Sequence, residues 1–209
     1  MTTIASATKY RASLDAAFDA RVAYEQSKCD DATASIFKAI ADLRKDYAHD
    51  AIIDVMRKAS VNAEFINRQE RRNARYNVKS ATKVFQIARC VAKVASLDSY
   101  TRNVLRTAFN LHNAELTMTH ADAQASLDNA ARVADAKKAH VVRYAKAIAA
   151  STADTQSSSS INALQMFDVL KETRDDSNAV AYALNAQSDV THALLASLNL
   201  KLPEASASA

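Results

Sequence analysis

Residues 3–28 read TIASATKYRASLDAAFDARVAYEQSK, and Ile4, Tyr10, Leu14, Phe18 and Val22 project onto one side of a helix. Alanine, the best helix former, fills many of the positions between them. A first helix is therefore expected across 3–28, and the same spacing recurs downstream. A second helix capped by Asp30 or Asp31 would carry Ile36, Phe37, Ile40, Leu43 and Tyr47. The pattern restarts near His49 and Asp50, and the residues leave open a break or a continuous rod.

No glycine occurs in the 209 residues, and the only proline is Pro203. At ordinary usage roughly fifteen glycines would be expected. Glycine is the usual residue where the backbone needs φ > 0, as in tight hairpins and phosphate-cradling loops. The expectation is an all-α fold: an elongated multi-helix bundle of long antiparallel helices closed by a C-terminal helical hairpin.

Three further stretches set the expected boundaries. Residues 62–97 read as one long helix or two joined near 77–80, and Asp98 or Ser99 then caps a helix bearing Val104, Leu105 and Leu111. From His120 to Ala150, Leu127, Ala131, Val141 and Ile148 suggest another helix. STADTQSSSS, residues 151–160, reads as a serine-rich linker, because short hydroxyl side chains compete for backbone hydrogen bonds. The division that follows is a long-helix bundle over 1–150, the linker over 151–160, a helical hairpin over 161–202 and a disordered tail over 203–209.

Charge is placed unevenly. Residues 1–60 are neutral, residues 61–110 carry net +7, and residues 111–209 carry net −3. Within the middle block Arg68, Arg71, Arg72, Arg75, Lys79, Lys83, Arg89 and Lys93 fall within an arc of roughly 120° on a continuous helix. Such a row suits a polyanion, since each Lys or Arg on a phosphate releases condensed counterions. It equally suits an acidic protein face or plain solvent, and the acidic 111–209 region is a ready internal partner. A helix-turn-helix has no turn glycine to mark it, and leucine heptads that would support a basic zipper are missing.

Catalytic motifs are sparse. Walker and dinucleotide loops need glycine. The five histidines form neither HExxH nor a Cys/His cluster, and His112 with Glu115 is a single reversed copy of a di-iron spacing. Cys90, between Arg89 and Lys93, reads as a small semi-buried filler more readily than as an activated thiol. No run of 18 apolar residues is present, and the first 23 residues lack an apolar signal core. Isolated Cys29 and Cys90 suit a reducing setting.

Together these readings predict a non-enzymatic structural or assembly protein with no cofactor, no metal, no membrane span and no small-molecule substrate. Its partners would be other protein subunits, in an intracellular, non-secreted setting such as a virion or nucleoprotein. The alternative is a nucleic-acid-binding protein that holds DNA or RNA phosphates through residues 68–93.

Overall fold

The computed structural model describes residues 6–28, 34–67, 78–129, 131–146 and 148–203, with 78–80 described by backbone alone. The chain is mostly helical and divides into two compact units, residues 1–95 and 96–209.

The first unit contains α1 (Ala7–Gln26), α2 (Ser35–Asp46), α3 (Asp50–Lys58), a 3-10 turn (Ala63–Ile66) and α4 (Val78–Val91). Of the face read from the sequence for α1, Tyr10, Leu14 and Phe18 are buried, Val22 is half-buried, and Ile4 lies outside the described residues. The chain does break between α2 and α3, and Tyr47 at that corner becomes the centre of the core. Its ring meets Phe18, Phe65 and Phe85 at centroid separations of 5.9, 5.7 and 5.4 Å. Its hydroxyl donates to the Ala81 carbonyl at 2.7 Å, so the polar end of a buried ring is satisfied. Tyr10 does the same for Val61 at 2.6 Å, and burial pushes its hydroxyl pKa upward.

The second unit contains α5 (Ser99–Asn113), β1 (Met118–Thr119), α6 (His120–Ala125), a second 3-10 turn (Asp135–Lys137), α7 (Ala150–Met166), β2 (Leu170–Arg174), β3 (Val180–Leu184) and α8 (Asp189–Ser197). Asp98 caps α5, accepting from the Tyr100 and Thr101 amides. Thr119 and Asp122 form a reciprocal capping box at α6. Helices α5, α6 and α7 pack on one another, and the three strands form an antiparallel sheet in the order β1-β3-β2.

Three expectations are corrected here. Residues 151–160 lie inside α7 and are not a linker. Thr155 and Ser157 turn their hydroxyls onto their own helix, bonding the Ser151 and Asp154 carbonyls, which removes the competition expected of them. Ser160 is fully buried and shares a 3.1 Å hydrogen bond with Thr101 of α5, so small polar side chains let the two helices approach closely.

Residues 161–202 hold a β-hairpin and one helix where a helical hairpin was expected. Leu164, Phe167 and Leu170 match helical spacing, but the helix ends among them and Leu170 begins a strand. The turn forms without glycine: Asp175 accepts from the Ser177 amide, the Ser177 hydroxyl and the Ala179 amide, and Asn178 takes φ 64°. The helix expected over 120–150 stops at Ala125. Beyond it Leu127, Val133 and Val141 are buried from irregular chain. Its backbone groups are met instead by side chains: Asn110 donates to His140 O, and the Val142 amide donates to Thr107.

Among the described residues, five helices end the same way. After α3, α4, α5, α7 and α8 a residue adopts positive φ: Ser60, Lys93, Glu115, Asp168 and Asn199. In each case the next amide bonds back along the helix in a six-to-one pattern, as from Val61 to Met56 and from Leu200 to Leu195, both at 2.9 Å. This is the Schellman cap, usually closed by glycine and followed by an apolar residue. The apolar residue is kept (Val61, Val94, Leu116, Val169 and Leu200) and the glycine is not.

Candidate functional site

The basic row is only partly placed. Arg68, Arg71, Arg72 and Arg75 lie outside the described residues, and Lys79 is described by backbone alone. Lys83 is 5% exposed, so it does not belong to a solvent-facing row. Arg89 is half-buried with its guanidinium over the Phe85 ring at 5.4 Å. Lys93 is exposed but lies beyond the end of α4, in the left-handed cap. The three described cations therefore have three different surroundings.

Two of the cavities lined by described residues lie in the first unit. One, of about 440 Å³, has Leu14, Phe18 and Ile53 in its wall and Arg11 and Arg44 at its mouth. Those arginines are already matched: Arg11 pairs with Asp50, and Arg44 bridges Asp15 and Asp19 at 2.8 and 2.6 Å. The hydrogen bond that Arg44 donates to Asp19 leads in raising the Arg44 pKa. The other cavity, of about 340 Å³, runs past His49, Asp50, Phe85 and Arg89 to Val94, whose side chain is exposed. A ligand anion in the first would have to displace ion pairs.

The second unit presents a more uniform surface. In α7 the residues facing the core are Ala153, Ser157, Ser160, Ile161 and Leu164, together with Gln156, Ser159 and Ala163. Ser151, Thr155, Ser158, Asn162 and Gln165 take the opposite side, within an arc of about 80° at ~100° per residue. All five are exposed or half-buried, uncharged and able to hydrogen-bond. Sequence reading missed this face because the serine run was assigned to a linker. The signal was present as a five-member polar row opposite Ala153 and Leu164.

His120, the first residue of α6, reaches this face. Its Nε2 shares a 2.9 Å hydrogen bond with Ser158 Oγ, lies 3.4 Å from Ser157 Oγ, and is 3.8 Å from an Asp154 carboxylate oxygen. Activation of a serine nucleophile needs the carboxylate to orient the histidine from the opposite ring nitrogen. Here Asp154 and Ser158 approach the same nitrogen, so the carboxylate competes with the hydroxyl. The cluster is a hydrogen-bonded joint between α6 and α7.

The connection from α6 to α7 is rich in cations. Residues 131–146 hold Arg132, Lys137, Lys138, Arg143 and Lys146 against Asp135. Lys137 bonds the buried Asp122 at 2.9 Å and the Thr117 carbonyl at 2.8 Å. Arg143 donates to the carbonyls of Ala125, Asp128 and Ala131. These two tie the connection to the end-groups of α6, and Ala125, Val133 and Val141 form a small core beneath it.

His112 lies in the last turn of α5 and Glu115 in the cap beyond it, so they do not share a helical face. Among the described residues no group of three or more His, Cys, Asp or Glu could hold a metal ion, and no helix is long and apolar enough to cross a membrane. Cys90 is buried in α4. No family model, curated protein or solved structure matches the chain.

Proposed function

We propose that the chain is a non-enzymatic protein that binds duplex DNA through residues 96–203, with α7 as the helix that enters the major groove. The reading is carried by the polar row Ser151, Thr155, Ser158, Asn162 and Gln165 on the solvent side of α7. Uncharged amides and hydroxyls are the groups that pair with base edges, and Asn or Gln can hold adenine by two hydrogen bonds at once. The order of elements supports it: helix, short strand, helix, helix, then a β-hairpin whose second strand pairs with the short one. A winged helix-turn-helix has the same order of elements, and in a helix-turn-helix the second helix of the pair is the reading helix. This chain departs from the usual three- or four-residue turn, since residues 126–149 separate α6 from α7. A B-form duplex is the target because its major groove admits a helix, whereas that of A-form RNA is too narrow.

The basic row supplies a second, sequence-independent contribution in this proposal, through Arg68, Arg71, Arg72, Arg75, Lys79, Arg89 and Lys93. Electrophoretic mobility of duplex DNA at about 50 mM salt tests the reading. Retardation that weakens steeply with salt is expected, and unchanged mobility would sink it. Arg71→Ala/Arg72→Ala/Arg75→Ala should weaken binding to all sequences alike. Asn162→Ala/Gln165→Ala should flatten the preference between sequences, by about 1–3 kcal/mol for each base whose edge is no longer paired.

A role as a part of a larger assembly, with other subunits as partners, is favoured by one observation. Residues 1–95 carry net +6 and residues 96–209 net −2. Opposite charge on the two units suits association between copies or with an acidic partner. Light scattering over a concentration series should then show growth in mass that added salt reverses; a constant monomer mass would remove this reading.

A further inference from the structure

The hairpin that flanks the reading helix carries the wrong charge for its place. From 171 to 176 it holds Lys171 and Arg174 against Glu172, Asp175 and Asp176, net −1. Laid against phosphates, such a tip would be repelled. The irregular connection over 131–146 is net +4 by the same count.

Two of its five cations are committed to the fold, Lys137 on Asp122 and Arg143 on the Ala125, Asp128 and Ala131 carbonyls. Arg132, Lys138 and Lys146 are exposed. Lys138 pairs with Asp135 at 2.5 Å, but both side chains are mostly in solvent, where such a pair is worth little. The frame that carries these three is held at several points. Asn110 holds His140 O at 3.1 Å, Thr107 accepts the Val142 amide at 3.1 Å, and Asn129 holds Tyr144 O at 2.9 Å. A held frame loses less freedom when a ligand arrives than a loose loop would.

Two indirect links relate the connection to α7 and its polar face. Lys137 is fixed to Asp122, two residues beyond His120, whose ring bonds Ser158 on that face. At the other end Lys146 precedes the first residue of α7, Ala150, by four positions.

Given the duplex-binding reading above, we propose that Arg132, Lys138 and Lys146 of the α6–α7 connection hold the phosphate backbone, and that the hairpin tip stands off it. The enlarged connection thus takes over the backbone contact that the acidic hairpin cannot make.

Fluorescence anisotropy of the full chain with a labelled random-sequence DNA duplex, over a salt series, tests this. Each phosphate contact contributes about 0.9 to the slope of log affinity against log salt. Arg132→Ala/Lys138→Ala/Lys146→Ala is expected to make the slope shallower by about 2–3, with Lys171→Ala/Arg174→Ala leaving it unchanged. Asp176→Lys, which places a cation on the tip, should also leave the slope unchanged. A triple variant that keeps the native slope, or an Asp176→Lys variant that steepens it by about 1, overturns the assignment while the duplex-binding reading stands. Failure of the unmodified chain to bind any duplex overturns both. Circular dichroism and thermal midpoint of the triple variant should match the parent, because all three side chains are exposed.

Discussion

The left-handed caps are where single residues matter most. A residue with a β-carbon costs roughly 1–2 kcal/mol in that region, and Asn or Asp less, because their short side chains bond locally. Asn199 and Asp168 are therefore the comfortable cap occupants, as Asn178 is in the hairpin turn; Ser60, Lys93 and Glu115 are not. Ser60→Gly and Glu115→Gly are each expected to stabilise the protein by about 0.5–1 kcal/mol. The readout is a higher urea midpoint at unchanged slope. Asn199→Gly should give a smaller gain.

Asp175 offers a pH-dependent test at the same scale. Its carboxylate accepts from Ser177 and Ala179, and the Ser177 hydroxyl leads in holding its pKa below the usual carboxylate value. A depressed folded pKa stabilises the folded state above the unfolded value of about 3.9, and that contribution is lost as pH falls through the folded one. Acidification below that value should loosen the hairpin, and Asp175→Ala should remove this part of the acid dependence. Amide exchange of Val180–Leu184 as a function of pH reads it directly.

At the scale of elements, α7 must serve two surfaces with one sequence. Its inner side uses serines where a helix would ordinarily use leucine, because Ser160 meets Thr101 across a close contact with α5. Ser160→Leu should overpack that contact and cost about 1–3 kcal/mol of stability by urea titration. The same serines explain what could be read without the structure. Helices α1, α2 and α5, their buried faces and the Asp98 cap were legible, since apolar spacing and capping residues act locally.

What was not legible turned on tertiary partners. Four serines in a row favour helix only when partners such as Thr101, His120 and the Asp154 carbonyl take up their hydroxyls. The chain after Ala125 carries helical spacing, yet Asn110, Thr107 and Arg143 satisfy its backbone in another shape. The hairpin hid behind the missing glycine, since Asn178 and Asp175 do glycine's work there. As for the candidate site, the cationic residues were countable in the sequence, but Lys83 shows that helical spacing alone does not put a cation in solvent.

At the scale of the whole molecule, each unit has its own apolar interior. Tyr47 with Phe18, Phe65 and Phe85 centres the first; Leu105, Leu111, Leu164 and Phe167 lie in the second. Two interiors predict unfolding that departs from a single two-state transition. Scanning calorimetry should then return a calorimetric enthalpy larger than the van't Hoff value. Tyr47→Ala removes the ring that joins three others and is expected to cost the first unit about 3–5 kcal/mol, as for other large aromatic deletions.

The non-glycine caps also have a consequence for the unfolded chain. Every residue there carries a β-carbon, so each samples fewer backbone states than a glycine would, and less conformational entropy is surrendered on folding. The strain held at Ser60, Lys93 and Glu115 is thus set against a stiffer denatured ensemble. A glycine placed at a cap relieves the first and loosens the second, which is why the expected gain at each site is smaller than the strain it removes.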